Sequence, residues 1–435
     1  MNFIDFSLKL NKFPIGKAKV VLEKIQNLDD PKFQEYINNQ KEYIVKYHIK
    51  NNPFYKDFFG KTKSFNDWNS LPIMTKRDLQ LPLKERLSEG FNSKNVYINK
   101  TSGSSGTPFY FAKDKFTHAL TWSIIQNRFN WYGLYGKKQA RFYGEPKEMF
   151  AKSKEQLKDI LSNRSKFNVF DLSNTAFDKW LSKFAVKKFI YLNGYTTVLV
   201  AFANYLISKN IVLNNVCNTL TTCVVTSEMC FESDILVMEK AFGVPVIKEY
   251  GASELDLIAF QNKEKQWMVN TESLLVEVLD ENNLPLPNGE TGKIVITSLY
   301  NKAHPFIRYE IGDMGAIKAL RSKDIILEKL EGRREDLVYL PNGKVSPGLT
   351  FYYITKSIME DSNNVKEIKV FQTAFDVFEI HYVAEHLLDE NQKSTIKEKL
   401  SKYLVSNLKV NFFKKNKLKR SESGKLKQFT SLIKS

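Results

Sequence analysis

The sequence predicts an α/β protein: a large N-terminal domain of parallel and mixed sheets with helices, followed by a small α+β domain. Three observations carry this. Between about residues 185 and 260, strand-like and helix-like runs alternate: "KKFIYL" into an apolar helix, then "TLTTCVVTSE", "CFESDILVMEKAFG" and "PVIKEYG". Such alternation marks parallel βαβ units. From 267 to 320 the pattern shifts to short strands broken by turns, "WMVN", "LLVEVLD", "ENNLPLPNGETG" and "KIVITSLY", as in an antiparallel or mixed sheet. The charged, turn-rich "EKLEGRREDLVYLPNGKVSP" then marks a domain boundary.

In chain order, residues 1 to about 95 read as mainly helical. "KFQEYINNQKEYIVKYHIKNNPFY" spaces its apolar residues at three and four, and Pro53 closes the pattern. "LPIMTKRDL" reads as a loop entering a helix, with Thr75 as N-cap. "FYFAKDK" is a strand, and "FTHALTWSIIQNRFNWYGLYG" an amphipathic helix ended by Gly. Beyond the boundary come a helix, "GLTFYYITKSIME", two strands, "VKEIKVFQTA" and "VFEIHYVAE", and a helix, "NQKSTIKEKLSKYLVSNL". The expected domains are 1–334, opening with the helical region to residue 95, and 335–435.

A chain of 435 residues is too long for one ordinary core. Its 43% hydrophobic and 26% charged residues are those of a globular protein. The net charge of +17 invites a nucleic-acid reading, but residues 391–435 hold thirteen Lys or Arg against two Glu, so most of it is local. That tail carries no recognisable nucleic-acid module. The expectation is no nucleic-acid partner and, at most, peripheral contact with a membrane surface. Cys217, Cys223 and Cys230 form no CxxC pair, and His48, His118, His304, His381 and His386 show no metal or nucleophile spacing. With few cysteines, no signal-peptide core and no uninterrupted apolar span, the expectation is a cytoplasmic protein.

The stretch "NKTSGSSGTPFYF" concentrates hydroxyls and glycines in a chain rich in Phe and Ile. In Thr101-Ser102-Gly103-Ser104-Ser105-Gly106-Thr107-Pro108, the glycines let successive N–H groups turn inward and the hydroxyls add donors, as a phosphate cradle needs. It is not a Walker A loop, since the four-residue gap and the Gly-Lys-Ser/Thr are missing. Read alone, it is equally a connector.

Downstream lie "EYGASE" (249–254), "RYEIGDMG" (308–315), "LEGRREDLVYLPNG" (330–343) and "RSESGKLKQF" (420–429). In this order and spacing, over roughly residues 95–430, the chain resembles the adenylate-forming superfamily of acyl-CoA synthetases, peptide-synthetase adenylation domains and luciferases. Within it the resemblance is to the phenylacetate-CoA ligase-like branch and its CapK-type proteins, which are associated with capsule and surface polysaccharide synthesis. The resemblance implies a large ATP- and carboxylate-binding domain and a small mobile lid. It implies that Thr101, Ser102, Gly103, Ser104, Ser105, Gly106 and Thr107 hold phosphate, although the family often has Lys at the position of Thr107. Tyr250 would stack near adenine beside Gly251, Ser253 would touch the α-phosphate, and Glu254 would hold Mg²⁺. Asp313 would accept both ribose hydroxyls, Arg333 would lie near ribose and phosphates, and Glu335 would fall at the hinge. Lys425 would be the mobile lysine, offsetting repulsion between a carboxylate and the α-phosphate.

Asn193, Gly194 and Tyr195 lie where that branch places acyl-pocket residues, and Ser227 and Glu228, ahead of another helix, would contribute to the nucleotide pocket; core packing explains the first three equally well. The expected activity is ATP-dependent activation of a small-molecule or sugar-linked carboxylic acid as an acyl-adenylate. Pyrophosphate leaves, and the acyl group passes to the thiol of coenzyme A or to an amine. The alternative is a non-catalytic nucleotide-binding or basic surface-docking relative. On the residues alone, Glu254 is equally a solvated turn residue, Gly312-Asp313 a hairpin turn, the Arg333 cluster a linker, and Lys425 one more lysine in a basic tail.

Overall fold

The computed structural model describes residues 3–60, 65, 67–101, 109–144, 159, 161–333, 337–342, 345–347, 364–404, 406–420 and 426–433. They divide into two compact units: Met1–Ile311 with Ala316–Lys329, and Gly312–Gly315 with Leu330–Ser435.

The first unit opens with helices α1 (Phe3–Leu10), α2 (Ile15–Gln26), α3 (Asp30–Asn51), α4 (Pro53–Phe59) and the short α5 (Leu83–Arg86). The Asp29 side chain caps α3 by accepting the Lys32 N–H at 3.0 Å. Pro53 does more than close the apolar pattern. It occupies the first turn of α4, where its missing N–H costs nothing, and Asn52 caps that helix through the Tyr55 N–H at 2.8 Å. Thr75 differs from its expected role as an N-cap: its own N–H and hydroxyl both donate to Asp78 Oδ2, at 2.7 and 2.6 Å, and one 3₁₀ turn follows. A downstream carboxylate outcompetes the threonine as acceptor.

Next come the hairpin β1 (Val96–Lys100) and β2 (Tyr110–Asp114), α6 (Lys115–Asn130), β3 (Gln139–Phe142), β4 (Arg164–Lys166), α7 (Asn174–Val186) and β5 (Tyr191–Tyr195). Then follow α8 (Thr196–Ser208), α9 (Leu213–Val216), β6 (Thr222–Thr226), α10 (Glu232–Phe242) and β7 (Val246–Ala252). The run ends in β8 (Asp256–Gln261), β9 (Trp267–Val269), β10 (Leu274–Leu279), β11 (Gly292–Ser298), β12 (Tyr309–Ala319) and β13 (Ile325–Arg333). Strands β3 to β13 form an 11-stranded sheet in the order β10-β11-β12-β13-β9-β8-β7-β6-β5-β3-β4. The segment β4-β3-β5-β6-β7 is parallel, β7-β8-β9 is antiparallel, and so is β10-β11. This is the predicted switch from βαβ units to hairpins.

The parallel strands are apolar on both faces. One face carries Phe142, Leu192, Cys223, Val225 and Val246 against α7, α8 and α10. The other carries Tyr191, Val224 and Ile247 against α2 and α6. Helix α6 is not amphipathic as its sequence suggested: Thr117 to Thr121 are buried one after another. It lies between α2 and the sheet, and His118 also stacks on Tyr97 of β1, so no face is left for water.

In the second unit β14 (Leu337–Tyr339) pairs with β15 (Val345–Pro347). Strands β16 (Val365–Ala374) and β17 (Val377–Ala384) form an antiparallel hairpin, flanked in parallel by β19 (Phe429–Ser431) and β18 (Lys409–Lys414). Helix α11 (Glu390–Tyr403) starts at a reciprocal Asp389–Gln392 cap, and its Ile396 and Leu400 cover Val370, Phe378 and Ile380. The predicted helix "GLTFYYITKSIME" lies outside the described residues.

Candidate active site

The hydroxyl-rich loop joins β1 to β2, and the structure describes its base. Thr101 N–H donates to the Phe109 carbonyl at 3.0 Å, and Thr101 Oγ1 accepts the Phe109 N–H at 3.1 Å. Thr101 therefore closes the loop, while Ser102 to Pro108 lie outside the described residues. Behind the base, Arg86 donates from Nη2 to the Tyr110 carbonyl at 2.6 Å and from Nε to the Leu81 carbonyl at 2.9 Å.

The "EYGASE" cluster spans the end of β7 and the turn into β8. A Cβ on Gly251 would collide with the Asp256 carbonyl, so this tight return needs glycine. Tyr250 is buried edge-on to Trp267, with ring centroids 6.1 Å apart. Ser253 is exposed. Glu254 is 7% exposed and accepts the Tyr309 hydroxyl at 3.0 Å. It is thus not the solvated turn residue that the motif alone allowed. Lys113 ties this turn to the loop-bearing hairpin: almost fully buried on β2, it pairs with Asp256 and lies 3.5 Å from the Ser253 carbonyl. Asp256 adopts φ +59°, which Asp tolerates better than most residues.

The parallel strand ends carry a polar row. Tyr195 pairs with Thr226 and Thr226 with Glu249, one step beyond the row Asn193, Val224 and Ile247. Tyr143 follows β3 on the same face. Thr226 donates to Glu249 Oε1 at 2.9 Å, and Tyr143 donates to Asn193 Oδ1 at 3.0 Å. The Asn193 amide is committed within the protein, since Oδ1 also accepts from Gln139 at 2.9 Å and Nδ2 donates to the Val224 carbonyl at 3.1 Å. A Cβ on Gly194 would strike Phe142, and Tyr195 lies 5.0 Å from the Tyr143 ring. Burial pushes the Glu249 carboxyl up to about 7. Burial, and then the Glu249 charge, hold the Tyr143 phenol well above its usual value. Beyond β6, Ser227 adopts φ +70°, and Glu228 accepts the Thr197 N–H and hydroxyl, each at 2.8 Å, at the start of α8.

Asp313 lies within β12, nearly buried, not in the hairpin turn that Gly312-Asp313 also allowed. Arg333 is the last residue of β13. Glu335 and Lys425 lie outside the described residues. Sequence reasoning passed over Lys113, Asp256, Tyr309, Tyr143 and Glu249. Period-two alternation in β7 could have flagged Glu249 beside Ile247, but nothing local pairs Lys113 with a residue 143 positions away.

The fold recurs in solved proteins. The chain matches 2-hydroxyisobutyryl-CoA ligase in its postadenylation state with a TM-score of 0.70 at 15% identity, over 93% of this chain and 90% of that one. The chain thus shares the fold of that ligase. In sequence it is a relative of Protein CapK from Staphylococcus aureus, 24% identical over 419 residues, 93% of this chain and 88% of that protein. It is also 25% identical over 207 residues to phenylacetate-coenzyme A ligase from Pseudomonas putida, 42% of this chain and 45% of that protein. No family model matches the chain.

Proposed function

We propose that this chain activates a carboxylic acid with ATP and passes the acyl group to coenzyme A. The observation that carries the reading is the tether between the hairpin bearing the hydroxyl-rich loop and the turn bearing Glu254, through Lys113, Asp256 and the Ser253 carbonyl. Two chemically suited clusters, far apart in sequence, meet there.

In this reading a carboxylate oxygen attacks the α-phosphorus, the bond to the bridging oxygen of pyrophosphate breaks, and pyrophosphate leaves. The thiol then attacks the acyl carbonyl and AMP leaves. The 101–107 loop holds phosphates, Tyr250 and Gly251 border the adenine, Ser253 contacts the α-phosphate, and Asp313 and Arg333 hold the ribose side. Lys425 sits between the two anions during adenylation, and the chain around Glu335 is the hinge of a small lid. Mg²⁺ fits this donor set only as a partner of the nucleotide. Among the described residues no three His, Cys, Asp or Glu side chains converge on a metal position. Glu254 supplies one hard oxygen, which suffices for an ion otherwise held by phosphates and water. When bound, that ion would offset phosphate charge.

Kinship with a coenzyme A ligase supports the thiol over an amine as acceptor. Resemblance to CapK-type proteins supports a place in surface-polysaccharide assembly. Use of ATP and coenzyme A would favour a cytoplasmic reaction. The test is pyrophosphate release with ATP, Mg²⁺ and a panel of carboxylic acids. Acid-dependent release is expected; none with any acid, and no rise in Tm with ATP, overturns the reading. Lys425→Ala should lower adenylate formation at least roughly 100-fold, yet spare transfer from a supplied acyl-adenylate. Equal loss of both steps would refute its role.

A further inference from the structure

The polar row at the parallel strand ends does more than hold the fold. One step earlier the same face is closed by Val224 and Ile247. Here Glu249 brings a carboxyl whose hydrogen-bond donor among the described residues is Thr226 alone, and no cation among them pairs with it. Arg141, on β3, lies over the Tyr143 ring at 4.7 Å and 3.9 Å from Asp159. Glu249 and Tyr143 are half-buried, so each keeps part of its surface accessible while burial still shifts its acidity. An unpaired carboxylate is costly in such a place unless a cation arrives.

We propose that Glu249 is a specificity-determining residue, and that the acid activated by this chain carries an ammonium group distal to its carboxylate. This rests on the ligase reading above. The ammonium would donate to the Glu249 carboxylate, while the Tyr143 and Tyr195 rings, 5.0 Å apart, offer π faces to the same charge. A hydroxyl would find a hydrogen bond here but would not balance the charge. The proposal thus separates amino acids in the broad sense from hydroxy acids of equal size.

The experiment offers two isosteric series to the full chain: aminocaproate, hydroxycaproate and heptanoate, and the para-aminomethyl, para-hydroxymethyl and para-ethyl benzoates. ATP–pyrophosphate exchange measures activation, and calorimetry without ATP measures binding. The amine should lead in at least one series. Glu249→Gln, which keeps shape and hydrogen bonding, should lower kcat/KM for that amine roughly 100-fold and for the neutral probes less than about threefold. Exchange with no amine preference, or a preference that survives in Glu249→Gln, overturns the proposal and leaves the ligase reading intact. No exchange with any acid, alongside amine binding that Glu249→Gln abolishes, sinks the ligase reading and keeps the amine site. No exchange and no preferential binding sink both.

Discussion

Two groups of buried polar side chains in the first unit meet the same difficulty in opposite ways. The first anchors the N-terminal helices. Fully buried Arg308 donates to the carbonyls of Asn69 at 2.9 Å, Leu71 at 3.1 Å and Asn283 at 3.2 Å, and lies 3.5 Å from Glu277. Nearby, Arg86 donates to His304, while His48 donates to the Asn301 carbonyl at 2.8 Å and accepts from Ser88. Burial holds His48 down at about 4 and His304 well below its usual value, so both are neutral. The second group is the row ending in Glu249. In the anchor, cations are spent on main-chain carbonyls. In the row, the half-buried Glu249 carboxyl keeps acceptor capacity beyond its bond from Thr226. The contrast teaches that burial alone does not mark function; unspent bonding capacity on an accessible side chain does.

The largest effect should come from breaking the anchor. Arg308→Met leaves the carbonyls of Trp68, Asn69, Leu71 and Asn283 without this donor and Glu277 without its cation. A loss of about 3–5 kcal/mol is expected in urea unfolding of the full chain. A loss below about 1 kcal/mol would show that the guanidinium merely fills space. Glu277→Gln added to Arg308→Met should recover part of the loss, because it removes the stranded charge.

The row sharpens the comparison through pH. The folded-state value of Glu249, about 7, lies above its ordinary 4.5. Its contribution is complete below about pH 4.5 and is lost as pH rises through 7, because folding then confines an ionised carboxylate. The neutral Glu249→Gln variant should gain roughly 1–3 kcal/mol on the wild type between pH 5 and 8. His48 and His118, each held near 4 by burial, are already neutral across that window. Parallel stability curves for the two proteins would mean that Glu249 is solvated.

How much of this was legible in the sequence depends on how local each signal is. The βαβ alternation, the Gly243 cap at φ +69° and the Asp389–Gln392 cap are local, and the pattern showed the elements they bound. Helix α6 was misjudged as amphipathic because periodicity says which residues are apolar, not how many sides are covered. Glu254 and Asp313 could be named only through the resemblance. Their burial depends on partners such as Tyr309, 55 residues away from Glu254, which no spacing rule supplies. Glu249 was hidden for the opposite reason: it sits inside a motif read for its neighbours.

Tyr309 stands between the two groups and should give the smallest stability effect. Its hydroxyl is buried like the anchor, yet it donates to Glu254, the carboxylate proposed to face the nucleotide. Tyr309→Phe removes one hydrogen bond and no packing, so a loss of roughly 1 kcal/mol is expected. Were that all, pyrophosphate release at fixed temperature would respond to Mg²⁺ as in the wild type. A hydrogen bond that orients a ligating carboxylate also sets its affinity for the ion, commonly by tenfold or more. The Mg²⁺ concentration for half-maximal release should therefore rise about tenfold, with the maximal rate largely regained at saturating Mg²⁺. A Mg²⁺ titration separates the two outcomes: an unmoved midpoint with lowered stability assigns Tyr309 and Glu254 to the anchor, and a moved midpoint assigns them to the site.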